Sequence, residues 1–186
     1  MFTQFKDYDR LIRTENLSDV ISDDTSLLRK MELTAQEEIE SYLRHHFDVS
    51  ILFSGFQIWN ASTAYLLEDK TLISYETKEG SLYIPKVDTA AGESPETNPE
   101  KWTQTDTRHQ FLLSIFIDVT LYHAHSRVNP RNIPEMRIER YRDAIEWLKK
   151  VNSGSLTPAF PILETEEDIK GRNIHFGQTK IEQNTY

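Results

Sequence analysis

Histidine and carboxylate side chains are the groups with which this chain could hold a metal or move a proton, and their spacing serves neither purpose. A helical histidine pair binds zinc well when both side chains share a face at a spacing of four. His45 and His46 are adjacent and His123 and His125 are two apart, so neither pair shares a helical face and no metal is expected. The absence of cysteine removes thiolate metal sites, a cysteine nucleophile and a disulfide framework together. There is no HExxH, no GxSxG and no phosphate-cradling Gly-rich loop in a chain with only 6 glycines. Glu164, Glu166, Glu167 and Asp168 form the densest acidic run, but they fall where the sequence has no regular period and read as solvated charge. Neither an enzyme nor a cofactor site is expected.

The other candidate surface is aromatic. Trp59, Tyr65, Tyr75, Tyr83 and Trp102 could stack on a sugar ring, with Trp59, Tyr83 and Trp102 as the candidate platform. The same residues could instead form the core of a module with few other apolar side chains, since each buries a large area. The core reading is preferred for any one of them.

Helices must position most of the chain. Thr107 to His125 carries Phe111, Leu112, Ile115, Phe116, Val119 and Tyr122 at three-and-four spacing. Leu113, Ile117, Leu121 and Ala124 occupy another face, which predicts a helix buried over most of its circumference. A following helix is punctuated by Asn132 and Glu135 in a capping-box pattern, Pro134 in the first turn and Gly154 at the end. Its inner face is Ile138, Tyr141, Ile145, Leu148 and Val151, with Arg137 and other charged residues mostly on the outer face. Earlier, Asp23 or Asp24 should cap a helix reaching His46, with the stripe Leu28, Met31, Ala35, Ile39, Tyr42 and His46. A short amphipathic helix is expected near Tyr8 to Arg13.

Between these halves the period changes. Thr71 to Tyr75 and Ser81 to Pro85 read as short strands joined through Glu79-Gly80, and Asp88 to Lys101 is rich in turn residues. The predicted architecture is mainly α: a small helical bundle with an inserted small β module and an extended C-terminal tail. The bundle takes 1–54 and 106–157, the module 55–105 and the tail 158–186. After Gly154 the apolar residues come in isolated sets, including Ile162 with Leu163, Ile174 with Phe176, and Ile181. Such a segment cannot bury enough surface to order itself, which suits docking on a partner.

With 38% hydrophobic and 27% charged residues, the 186-residue chain has the composition of a globular protein. No apolar run approaches the roughly 18 residues that span a bilayer, so no membrane partner is expected. Lys6, Asp7 and Asp9 with no apolar block behind them argue against a secretory signal. A net charge of -9 disfavours a surface that grips nucleic-acid phosphates, though it suits a wall that DNA passes without sticking.

The segments Ala35-Gln36-Glu37-Glu38-Ile39-Glu40-Ser41-Tyr42-Leu43 with Phe47, Ile117-Asp118-Val119 to Tyr122, and Glu139-Arg140-Tyr141-Arg142-Asp143-Ala144-Ile145-Glu146-Trp147-Leu148 leading to Gly154 resemble, in order and spacing, the phage head-tail connector (neck or adaptor) proteins of the Mu-like family. The block from Trp59 through Tyr65, Tyr75, Gly80 to Tyr83, Gly92, Pro95, Asn98-Pro99 and Trp102 is similar to small carbohydrate-binding modules of chitin-binding type, although Glu68-Asp69-Lys70 stands where a Gly-Asp turn is common. The first resemblance implies a structural virion protein at the head-tail interface, made in the bacterial cytoplasm. It further implies a closed homo-oligomeric ring of about twelve copies, joined by head-to-tail contacts, that binds the portal and tail or neck proteins while DNA passes through. The tail residues Ile162, Leu163, Ile174, Phe176 and Ile181 are the candidate docking elements. A carbohydrate-binding accessory acting through the insertion is the alternative, and a regulator or generic helical scaffold stays open.

Overall fold

Aspartate side chains cap the helices that begin at Thr25 and Val49, whereas those that begin at Thr14, Gln110 and Glu135 start without a side-chain cap. The computed structural model describes residues 1–75 and 80–163. A 3-10 turn at Phe5–Arg10 precedes α1 (Thr14–Ile21), α2 (Thr25–Leu43) and the short α3 (Val49–Leu52). The sheet strands follow as β1 (Gln57–Ile58), β2 (Ile73–Ser74), β3 (Leu82–Pro85) and β4 (Trp102–Gln104), and α4 (Gln110–Val128) and α5 (Glu135–Asn152) complete the order. The architecture is therefore largely helical with a small mixed sheet.

Asp24 caps α2, its carboxylate accepting from the Ser26 and Leu27 amides. Ser22 and Asp23, both with positive φ, reverse the chain just before it. That reversal makes room for α1, which the sequence pattern does not reveal, while the helix expected at Tyr8 to Arg13 is replaced by the earlier 3-10 turn. The second helix stops at Leu43, so His46 leaves its stripe and is exposed. α4 starts three residues later than its periodicity suggests, because the Asp106 carboxylate takes the Arg108 amide into a local turn. The expected Asn132 cap is not used. Pro134 holds the N-cap position without a side-chain bond, and its carbonyl accepts from the Arg137 amide at 2.8 Å to close the first turn. Gly154, with φ of +73°, terminates α5 as expected, its amide donating to the Val151 carbonyl.

α2, α4 and α5 pack against one another and enclose one apolar core. α4 is buried on several sides at once through Leu112, Leu113, Ile115, Phe116, Ile117, Val119, Leu121 and Ala124. Phe111 departs from the predicted stripe and is 60% exposed. Arg137 departs in the other direction: it is buried, with Nη2 donating to the Leu11 carbonyl at 2.7 Å. Polar groups bind the helices too. Glu32 of α2 is buried and accepts from Tyr8, Thr3 and Arg29, and Glu38 accepts from the Tyr141 hydroxyl of α5 and bonds His123 of α4.

The strands run in the order β1-β2-β3-β4. β2 and β3 form the anticipated antiparallel hairpin, shorter than its pattern, with Ile73 opposite Tyr83. β1 adds parallel to β2 and β4 antiparallel to β3, and neither carries enough alternation to be seen in the sequence. Tyr65, Ile73, Tyr83 and Trp102 make one small core, and Phe56, Leu72 and Leu82 another.

The sheet joins the helices at the start of the chain. The Met1 carbonyl accepts from the Phe56 amide at 2.7 Å, and the Met1 amino group donates to the Phe56 carbonyl. Gly55, at φ of +64°, allows this approach, since a Cβ there would lie 1.8 Å from the Met1 carbonyl oxygen. Beside it the Arg108 guanidinium bonds Asp7 through both Nη atoms, Asp106, and the Phe2 carbonyl.

Leu148 is fully buried and Ile115 nearly so. Replacing either with Ala is expected to cost about 2–5 kcal/mol in urea unfolding, as lost transfer energy plus a cavity. A loss below about 0.5 kcal/mol, typical of surface positions, would reverse the assignment of faces.

Candidate docking site

α4 and α5 run antiparallel, as their ring contacts show: Tyr122 stacks on Tyr141 at 3.9 Å, and at the opposite end Phe111 meets Trp147 edge-on at 5.2 Å. Between the helices on this outer side lies a groove of about 580 Å³ whose walls include Phe111, Ser114, Asp118, Trp147, Lys150 and Leu156. It combines an aromatic floor with a charged rim, the composition of a surface that takes an amphipathic segment.

A charge cluster runs from the rim inward, from the partly exposed Arg140 through Asp118 to the buried Arg137. Asp118 Oδ1 is 3.6 Å from Arg137 Nη1, and Asp118 Oδ2 is 3.5 Å from Arg140 Nη1. Asp118 Oδ1 and Arg137 Nη1 are both buried and make no hydrogen bond. Burial pushes the Asp118 carboxyl above its ordinary value, and Arg140 and Arg137 pull it only part of the way back. Burial likewise lowers Arg137, partly offset by Asp118. These two groups hold each other loosely beneath the groove.

At the same end of the molecule the chain leaving α5 lies across the body. Phe160 packs edge-on against Phe47, His109 and Trp147, with ring centroids 5.4, 4.9 and 6.2 Å away. The Asp48 amide donates to the Pro161 carbonyl and the Leu163 amide to the His46 carbonyl, and Ile162 forms an antiparallel bridge with Phe47. The chain between Gly154 and Leu163 is thus held to the body rather than free of it, which the lack of periodicity conceals.

Of the candidate docking residues, Ile162 is 73% exposed and Leu163 45% exposed. Ile174, Phe176 and Ile181 lie outside the described residues, as do Glu164, Glu166, Glu167 and Asp168. Of the candidate platform residues, Tyr83 and Trp102 are buried in the small core of the sheet, where the preferred reading puts them. Trp59 is half-buried, edge-on to Tyr75 at 5.4 Å. Among the described residues no group of three His, Cys, Asp or Glu side chains could hold a metal ion. Sequence reasoning missed the groove itself. Its one available signal was a phenylalanine two residues into a helix whose apolar residues exceed what a single stripe needs.

Comparison with family models, curated proteins and solved structures returns no match.

The raised Asp118 pKa has a defined sign. A carboxyl whose folded pKa exceeds its unfolded value binds more protons when folded, so stability rises as pH falls through the folded pKa toward the ordinary carboxylate value. Compared with Asp118→Asn, the native protein should gain stability over that window in urea melts at stepped pH. A difference independent of pH would show that the carboxyl is not burdened by burial.

Proposed function

We propose that this protein is a structural virion subunit of head-tail connector type, forming a ring of about twelve copies between portal and tail through which DNA passes. One observation carries the reading. The residues of the resembling segments meet at shared interfaces: Ala35, Ile39 and Leu43 of α2, Ile117 and Val119 of α4, and Ala144 and Leu148 of α5 are all buried in one core. Patterns far apart in sequence thus share one core, which supports reading them as the small helical bundle of a connector body. Its work is mechanical, so it needs no catalytic group.

Two further features support this. The chain beyond α5 is anchored at Phe160 and continues past Leu163, which supplies a gripping arm for a neighbouring subunit or the portal. The net charge of -9 suits a wall past which polyphosphate must slide. The sheet is read as an insertion in this body. Burial of Tyr83 and Trp102 weighs against the carbohydrate-binding alternative.

Deleting residues 57–104 and bridging with a short Gly-Ser linker should leave a cooperatively melting helical protein, since closure entropy changes slowly with loop length. Loss of the cooperative transition would make the sheet part of the core. Portal rings mixed with the full chain should sediment as ring-bearing complexes visible by negative stain. A chain ending at Leu163, which keeps the Phe160 packing, should bind about tenfold more weakly because multivalent closure is lost. Equal binding removes the arm from the grip, and no binding by either form rejects the connector assignment.

A further inference from the structure

We infer that the groove between α4 and α5 is the acceptor for residues 169–181 of a second copy, so that each subunit passes its C-terminal arm to the next. The proposal deepens the connector reading and rests on it for the closed ring. Three observations converge on this occupant.

First, the groove is unfilled by its own chain among the described residues, yet it is built for an apolar anchor. Phe111 is 60% exposed and Leu156 41% exposed, with Trp147 between Phe111 and Phe160.

Second, its charge selects among segments. Asp118, Asp143 and Glu146 outnumber Arg140 and Lys150 in the lining. Lys150 is already paired with Glu146 and Arg140 with Asp118, whereas Asp143 makes no ion pair among the described residues. The acidic run from Glu164 to Asp168 is unsuited to this rim. Residues 169–181 contain no acid and carry Lys170, Arg172 and Lys180 around the apolar Ile174 and Phe176. In an extended chain Arg172, Ile174 and Phe176 fall on one face, because side chains alternate with a period of two. That face would set two apolar anchors on Phe111 and Trp147 and a guanidinium beside Asp143.

Third, the exit point favours a neighbour. The chain crosses from α5 to the end of α2, where Asp48 and His46 hold Pro161 and Leu163 by their backbones. It therefore departs on the α2 side, while the groove opens between α4 and α5. Passed from each copy to the next, the arm makes a heterologous contact, which generates a ring where the rotation closes, as the connector reading requires. At about 3.3 Å per residue, the ten residues between Leu163 and Ile174 allow a reach of at most roughly 33 Å before the first anchor.

The lack of cysteine makes the test direct. Full-length chains carrying Ser114→Cys at the groove wall, with a size tag, are mixed with untagged full-length chains carrying Gln178→Cys and oxidised. A mixed disulfide is expected at about ten times the yield of either variant alone, and a chain with both substitutions should give a ladder of linked copies. Adding Phe111→Asp, a change at an exposed position that should leave the circular-dichroism melt unaltered, should cut the mixed yield about tenfold. A bond formed only within single chains would give the groove to the chain's own arm and overturn the proposal. So would absence of any bond, or a yield indifferent to Phe111→Asp. The outcomes separate this inference from the reading beneath it: cross-linking without portal binding rejects the connector assignment alone, and portal binding without cross-linking rejects the groove alone.

Discussion

A single buried cation holds the start of the chain, the sheet and the central helix together. Arg108 stands where β4 gives way to α4, and its guanidinium reaches Asp7, Asp106 and the Phe2 carbonyl at once. Its side chain is only 4% exposed. Burial alone would lower its pKa, but the hydrogen bonds it donates to Asp106 and Asp7 more than offset that and raise it. Taking such a charge out of water is costly, and removing one partner from a buried pair typically costs several kcal/mol because the other is left uncompensated. The bond is thus better understood as fixing an arrangement than as a net source of stability. With Asp7 held, Tyr8 reaches Glu32 of α2, and with Phe2 held, its ring packs between Phe53 and Phe116. The sheet is seated by the same junction through Phe56, whose ring lies 5.8 Å from the guanidinium.

This junction explains how a helical core split in sequence can be continuous in space. The chain leaves the helices after α3, builds four short strands and returns at Arg108, and both ends of that excursion meet the first residues of the protein. The helical core then depends on nonpolar packing around α4, reinforced by the Glu38 contacts with His123 and Tyr141. A helix surrounded in this way leaves little room for a cavity. Among the described residues, grooves instead line the outer sides of α5, two of them toward α4 and one toward the chain that follows it.

The separation matters for the proposed role. A subunit that transmits force between rings benefits from a body whose polar links are buried and satisfied. Asp118 and Arg137, like Thr120 in the core and Trp59 and Trp102 in the sheet, each leave a buried polar atom without a hydrogen bond, and these two do so beside the proposed docking groove. Buried groups left short of partners are sites where a small shift in α4 or α5 changes energy most.

The sequence by itself determined the three long helices, though not α1 or α3, because periodicity and caps sustained over many residues survive whatever the helices pack against. Asp24, Gly154 and the doubled apolar faces of the segment from Leu112 to Ala124 were legible for that reason. The β2–β3 hairpin was legible too, as its strands are close in sequence. β1 and β4 were not, since strands this short draw their bonds from distant partners rather than from their own pattern. Only tertiary structure decided that Arg137 turns inward to a carbonyl on Leu11 and that Phe111 turns outward to Trp147. A residue's type states what burial would cost it, whereas its partners, which lie far along the chain, decide whether that cost is met. The same reason hid the groove: its two walls belong to different helices, and no single stretch of sequence contains it.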